Sequence, residues 1–159
     1  MQNTRQRRTA SVSGVKGSAS KPSNPKDAVG IRKVPLSTVP AYVMTEIGLA
    51  MLEGARKYGR HNYRVVGVRA SVYYDAALRH LTAWWEGQDI DPDSGLSHII
   101  KALACLVVLR DSQLMGNWTD DRPPQLPGVN NIMASLNRLA GEIIDRYPEA
   151  KDVFTHKQD

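Results

Sequence analysis

The stretch "LSHIIKALACLVVLRDSQLM", residues 96–115, decides the fold predicted for this chain. Its apolar side chains lie on nearly every side of a helix, and such a helix needs other helices to cover it. We therefore expect it to be the central, buried helix. Cys105 is the single cysteine of the chain and lies inside this run, where a lone thiol is typical of packing rather than chemistry.

Three more helices are predicted around the central one, at about residues 40–57, 72–86 and 130–146, from apolar residues at helical spacing. The loop "DIDPDSG", residues 89–95, precedes the central helix, and Asp91 followed by proline is expected to cap a helix start. No alternating strand pattern of useful length is present. The predicted fold class is all-α, a small helical bundle. Apolar faces left over favour homo-oligomerisation, with the fourth helix as the candidate contact.

The net charge of +5 belongs to residues 1–27, because the remaining chain has 15 basic and 15 acidic residues. The segment 1–27 is rich in Ser, Gly, Pro and Lys and is expected to be a disordered basic tail. A neutral body argues against a nucleic-acid interface, although the tail could bind polyanions weakly. No apolar run reaches about 18 residues, so no membrane span is expected, and the single cysteine fits a reducing cytoplasm.

Two predicted helices each have a polar face rich in acids. The first places Glu46, Glu53 and Lys57 on one face, and the second does the same with four residues, namely Asp75, Arg79, Thr82 and Glu86. If these helices are antiparallel neighbours, their carboxylates converge and repel, and a divalent metal with oxygen ligands is the common solution. His80, beside the second face, and His98, in the first turn of the central helix, are candidates to join them. Either face could instead simply contact water.

The stretch "GARKYGRHNYR", residues 54–64, packs cationic side chains beside two tyrosines, an asparagine and a histidine. Taken alone, it fits a solvated loop, a grip on nucleic acid, or the mouth of a pocket for a phosphorylated base. Phosphate-binding glycine loops, dinucleotide fingerprints and zinc or serine-hydrolase motifs are absent from the sequence. A hydrolase with a nucleophilic side chain is therefore unsupported, whereas metal-assisted hydrolysis by water is compatible.

Two segments carry a family resemblance. Residues 54–63 follow the pattern G-A-x-K-Y-G-x-x-N-[WY], and residues 79–98 follow R-H-x-x-A-W-x-x-G-E-x-x-D-x-x-S-G-x-x-H. The G-E pair of this pattern is either inverted as Glu86-Gly87 or has Gln88 in place of the glutamate. In these residues the chain resembles the phage MazG-like nucleotide pyrophosphohydrolases of the dATP/dGTP diphosphohydrolase family. The resemblance covers about residues 24–115. A literal E-x-x-D stands at residues 86–89, but the E-x-x-E that usually precedes it is missing.

The resemblance implies an all-α MazG-like catalytic domain at residues 28–120, between the tail at 1–27 and a proline-rich linker with a C-terminal helix at 121–159. It implies hydrolysis of a purine deoxynucleoside triphosphate, dGTP or dATP, to the monophosphate and pyrophosphate. The implied cofactors are two or three Mg²⁺ or Mn²⁺ ions, and the implied assembly is a homodimer or homotetramer. The expected location is the cytoplasm, which is the host cytoplasm if a phage encodes the protein. The alternative is a nucleic-acid-binding module that acts through the tail.

Roles for individual residues follow on this interpretation. The expected metal ligands are Glu46, Glu53, Asp75, His80, Glu86 and Asp91. The expected catalytic residues are Glu53, Glu86 and His98. The stretch at residues 54–64 becomes a wall of the nucleotide pocket, and the expected substrate-binding residues are Lys57, Tyr58, Asn62, Tyr63 and Arg79.

Overall fold

The structure is a computed structural model that describes residues 24–155, and it divides the chain into two units with the boundary after Thr38. In the first unit, helix α1 spans Pro25–Gly30, and the side chain of Asn24 accepts a hydrogen bond from the Lys26 amide at 2.9 Å. A 3-10 turn follows at Leu36–Thr38. The tail predicted to be disordered lies outside the described residues as far as residue 23, and its last residues begin α1.

The second unit is built almost entirely of helices. These are α2 (Ala41–Tyr58), α3 (Asn62–Val66), α4 (Ala70–Trp85), α5 (His98–Met115) and α6 (Val129–Arg146). Two strands of two residues each, β1 (Val68–Arg69) and β2 (Trp118–Thr119), pair in parallel before α4 and after α5. The predicted all-α class is confirmed. The short helices α1 and α3 and the strand pair were not predicted, because each is too short to show a hydrophobic period.

Helix α5 is the centre of the second unit, as its apolar sequence predicts. It packs most extensively against α4, and also against α2 and α3. The residues that α5 buries are His98, Ile100, Ala102, Val108 and Ser112. Helix α2 packs on α5, and Glu53 of α2 contacts Lys101 of α5.

A polar clasp ties the segment between α2 and α4 to the end of α5. Arg64 of α3 donates two hydrogen bonds to the Asp111 carboxylate, at 2.7 and 2.6 Å. Asn117 donates through its side-chain nitrogen to the Arg64 carbonyl at 2.8 Å. Gly67 has a φ of 77°, and a Cβ there would lie 2.7 Å from Asn117 Oδ1, so only glycine fits this close approach. The cationic stretch at residues 54–64 is therefore held at its Arg64 end against the end of α5.

The fourth predicted helix is confirmed as α6, and none of the residues of α6 is buried. Its large apolar side chains are about half exposed, among them Ile132, Leu136, Leu139 and Ile143. The predicted homodimer or homotetramer stays a prediction, and this face is its candidate contact. Among the described residues, no helix combines the length and apolarity needed to cross a lipid bilayer.

Candidate active site

Three potential metal ligands from separate parts of the sequence meet beside the central helix. His80 of α4, Asp91 of the following loop and His98 of α5 each offer one ligand atom, and these atoms lie within 4.8 Å of one another. We call this group the His–Asp cluster. The two Nδ1 atoms of the histidines stand 2.9 Å apart. Asp91 and His98 are buried, with 9% and 4% of their surface exposed, and His80 is partly buried.

The loop at residues 86–97 holds Asp91 in place. The Asp91 amide donates to the Leu96 carbonyl, and the Gly95 amide donates to the Asp91 carbonyl, both at 2.8 Å. Ser94 Oγ donates to Asp91 Oδ2 at 2.5 Å, and this bond is the main cause that lowers the pKa of the Asp91 carboxyl. The expectation that Asp91 caps the central helix is wrong, because that helix starts at His98 with Ser97 at its cap. The Asp91 carboxylate is thus turned toward the histidines.

His80 is in the protonation state that favours ligation, and His98 has an unsatisfied ring nitrogen. Burial lowers the pKa of His80, so its imidazole is neutral at physiological pH and has a nitrogen lone pair. His98 Nε2 is buried and has no hydrogen-bond partner. The contact between the two Nδ1 atoms therefore leaves the other ring nitrogen of His98 unsatisfied.

A bridge of two lysines and one glutamate adjoins the cluster. Lys101 of α5 donates to Glu53 Oε2 at 2.5 Å, and its Nζ lies 3.9 Å from Asp91 Oδ2. Lys57 donates to the other oxygen, Glu53 Oε1. Hydrogen bonds from Lys101 and then Lys57 are the main causes that lower the pKa of Glu53, which is ionised at neutral pH. Glu53 in turn raises the pKa of Lys57.

A cavity of about 390 Å³ opens on the other side of this bridge. Its walls come from the last turns of α2, the turn at residues 59–61, the start of α3, and single faces of α4 and α5. Three tyrosines line it, Tyr58, Tyr63 and Tyr73, so we call it the tyrosine cavity. Asn62 adds an amide, and Lys101 stands in the wall as well. The cavity therefore offers aromatic surfaces and an amide, with ammonium groups at the edge that faces the His–Asp cluster.

Comparison with known proteins identifies the family. A family model described as "dATP/dGTP diphosphohydrolase, N-terminal" matches residues 23–122. The chain belongs to this family. A relative named dATP/dGTP diphosphohydrolase, from Salmonella phage PMBT28, is 30% identical over 108 residues, which cover 65% of this chain and 36% of the relative. The chain thus spans little more than a third of that relative's length. No solved structure matches the chain at a significant level.

The part of the chain that matches the family contains the whole candidate site. The tyrosine cavity is lined by residues between 48 and 108, and the His–Asp cluster falls between residues 80 and 98. Helix α6 lies outside the matched segment. The candidate site therefore lies wholly within the segment that identifies the family.

The structure brings together some of the predicted site residues and separates others. His80 and Asp91 meet His98 in the cluster, and Lys57, Tyr58, Asn62 and Tyr63 line the cavity together with Glu53. The remaining predicted residues have exposed side chains on α2, on α4 or just after it, namely Glu46, Asp75, Arg79 and Glu86. Of these, Asp75 and Arg79 border a second, shallower depression lined by α4 alone. In the part of the chain that the structure describes, these four are not members of the His–Asp cluster.

Two residues at this site were not predicted from the sequence. Lys101 joins the cavity to the cluster, and Tyr73 closes the cavity from α4. The signal for Lys101 was a single lysine inside the apolar run of the central helix, because a cation on such a helix requires a partner. Tyr73 carries no comparable signal, since a tyrosine on an amphipathic helix is ordinary.

Proposed function

We propose that this chain hydrolyses a purine deoxynucleoside triphosphate, dGTP or dATP, to the monophosphate and pyrophosphate. One observation carries the proposal: the tyrosine cavity, the lysine bridge and the His–Asp cluster adjoin one another through Lys101. The site thus offers, in spatial order, a cavity for a base, cations for phosphates and ligands for a divalent ion. Membership of the family, and the name of the phage relative, support the choice of substrate class.

The tyrosine cavity suits the base. Ligand sites in proteins typically measure about 300–1,000 Å³, and the cavity of about 390 Å³ lies within that range. Tyr58, Tyr63 and Tyr73 present aromatic faces on which a purine can stack. The Asn62 amide can donate to and accept from the edge of the base. These contacts supply orientation for the rest of the nucleotide.

The lysine bridge suits the phosphates. Lys57 and Lys101 hold their ammonium groups at the cavity edge through Glu53, and the raised pKa of Lys57 keeps it charged at neutral pH. Phosphate oxygens that enter here meet two cations whose charge offsets their own. Glu53 thereby positions both lysines. Its predicted role as a catalytic acid or base, like those of Glu86 and His98, stays a prediction.

The His–Asp cluster suits a divalent ion, and Mn²⁺ is one of the two ions expected from the sequence. An ion held by His80, Asp91 and His98 would supply positive charge to the phosphate oxygens and acidify the attacking water. Asp91 contributes an ionised carboxylate and His80 a neutral imidazole, the protonation states that bind cations. Further ions on Glu46, Asp75 or Glu86 stay predictions.

The test is release of pyrophosphate by the purified full chain from each of the common ribo- and deoxyribonucleoside triphosphates, with Mn²⁺ or Mg²⁺. We expect dGTP or dATP to yield monophosphate and pyrophosphate in equal amounts. If no nucleotide releases pyrophosphate with either ion, the proposed function is wrong. The nucleic-acid alternative depends on residues 1–27, of which all but the last four lie outside the described residues, and no described feature favours it.

A matched pair of tyrosine variants tests the role of the cavity. Tyr58 and Tyr74 are both helical and exposed, at 70% and 58%, but only Tyr58 lines the cavity. Stacking of a base on an aromatic ring is worth about 1–3 kcal/mol, so Tyr58→Ala should raise KM for the preferred nucleotide about tenfold. Tyr74→Ala should leave KM unchanged. Equal effects of the two substitutions would contradict the placement of the base in the cavity.

A further inference from the structure

We infer that His80, Asp91 and His98 bind one first-row transition-metal ion, of the kind of Mn²⁺, Co²⁺ or Zn²⁺, in preference to Mg²⁺. This inference adds to the proposed function, and it rests on that function for the role of the ion. The three ligand atoms come from α4, the loop after it and the first residue of α5, and they lie within 4.8 Å of one another. The cluster therefore depends on the tertiary fold and is not a local arrangement of one helix.

The spacing of the two histidines fits an ion with little adjustment. Metal–nitrogen bonds of about 2.05 Å in tetrahedral geometry separate two nitrogens by about 3.3 Å. The Nδ1 atoms of His80 and His98 stand 2.9 Å apart, and their ring centroids are 5.1 Å apart. A shift of a few tenths of an ångström in two side chains would thus admit an ion between the rings.

Burial gives a second and independent sign that this pair does more than pack. His98 is 4% exposed, and its Nε2 atom is buried without a hydrogen-bond partner. Buried polar atoms are nearly always satisfied, so an exception in a native structure calls for a specific reason. An ion between the two Nδ1 atoms would leave Nε2 as it is, so this atom shows only that His98 is buried at a cost beside the cluster. Ser94 donates a hydrogen bond to Asp91 Oδ2 and so orients the carboxylate. Lys101 Nζ stands 3.9 Å from the same oxygen, which is beyond hydrogen-bond distance.

The donor atoms decide the class of ion. Imidazole nitrogen is a good ligand for Zn²⁺, Co²⁺ and related ions, whereas Mg²⁺ prefers oxygen ligands in a strict octahedron. Two of the three ligands here are imidazoles, so Mg²⁺ would receive one favourable protein ligand and a transition-metal ion would receive three. Mg²⁺ is better suited to carboxylates alone, such as the exposed acids of α2 and α4.

The test uses the full chain without nucleotide, so that it does not depend on activity. Co²⁺ is titrated and followed by its visible ligand-field absorption, and Mn²⁺ and Mg²⁺ are titrated by calorimetry. We expect one Co²⁺ or Mn²⁺ per chain at this site and at least tenfold weaker binding of Mg²⁺. Equal affinity for Mg²⁺ and Mn²⁺, or a cobalt spectrum without nitrogen ligation, would overturn the inference.

Matched variants locate the ion. Asp91→Asn and His80→Gln should each weaken Co²⁺ binding at least tenfold, since even the partners of metal ligands are worth that much. Asp93→Asn removes an exposed carboxylate from the same loop and should leave binding unchanged. If Asp93→Asn weakens binding as much as Asp91→Asn does, only the charge of the loop matters and the inference fails. His80 is only partly buried, so its variant tests the site even if a substitution at His98 prevents folding.

The two proposals fail in different ways. Tight Co²⁺ binding that needs His80 and Asp91, with no pyrophosphate released from any nucleotide, would support the metal site and contradict the proposed function. Pyrophosphate release by the parent, together with Co²⁺ binding that is unchanged in His80→Gln and Asp91→Asn, would contradict the metal site and leave the proposed function standing.

Discussion

Lys57 and Lys101 share one carboxylate but differ in burial, and this difference predicts unequal effects on stability. Lys101 Nζ lies 2.5 Å from Glu53 Oε2, and the two side chains are 18% and 20% exposed. Lys57 contacts the other Glu53 oxygen, but its side chain is 51% exposed. Replacing each lysine by methionine keeps most of the apolar stem and removes the charge.

The expected magnitude follows from the environment of each ammonium group. A hydrogen bond between charged groups that are largely removed from water contributes about 1.5–3 kcal/mol, so Lys101→Met should lower the free energy of unfolding by about 2 kcal/mol. Exposed pairs four residues apart on a helix contribute little, because water screens them. Lys57→Met should therefore change stability only within the reproducibility of the measurement.

The assay is urea unfolding of the parent and both variants, followed by circular dichroism. With a typical urea dependence of about 1–3 kcal/mol per molar for a small protein, Lys101→Met should lower the unfolding midpoint by roughly 1 M. Lys57→Met should leave the midpoint in place. Equal shifts in the two variants, or no shift in Lys101→Met, would show that the burial of this bridge has been misjudged.

Three further predictions concern stability. Ser112 is fully buried and its Oγ has no hydrogen-bond partner. Ser112→Ala should therefore raise the free energy of unfolding by about 1 kcal/mol. A lower urea midpoint in this variant would contradict the prediction. Glu53 has a folded-state pKa below its ordinary value of 4.5. Its contribution to the free energy of unfolding is therefore fully present above pH 4.5 and is lost as the pH falls through the folded-state pKa. The difference in urea midpoint between the parent and Glu53→Gln should therefore be constant at about pH 6–8 and shrink in acid, whereas a difference that grows in acid would oppose the assignment. Gly67→Ala should lower the melting temperature more than Gly128→Ala does. Both glycines have a positive φ, but only a Cβ at residue 67 would press against Asn117. Equal losses in melting temperature would exclude the clash.

The local parts of this fold were predictable from the sequence. The all-round apolar pattern of residues 96–115 predicted the central helix, because such a surface has to be covered on all sides. Four substrate-binding candidates, Lys57, Tyr58, Asn62 and Tyr63, do line one cavity, since they lie at the end of α2 and at the start of α3. Their role in binding substrate remains to be tested.

The pairing of elements was not predictable in the same way. A hydrophobic period shows which face of a helix is buried but not which helix covers it. The acids of α2 were expected to face α4, whereas Glu53 reaches Lys101 of α5, 48 residues along the chain. Asp91 carries the residue type and the following proline of a helix cap, yet the loop continues to Ser97 and buries its carboxylate beside the histidines. Long-range contacts of this kind depend on the whole packing arrangement.

The most direct measurement is anomalous diffraction at the manganese edge from crystals of the full chain grown with Mn²⁺ and a non-hydrolysable dGTP analogue. We expect a manganese peak among His80, Asp91 and His98, the purine against Tyr58 and Tyr63, and the phosphates between them. Manganese on the exposed acids of α4, or a base bound outside the tyrosine cavity, would contradict a single site that joins cavity and cluster.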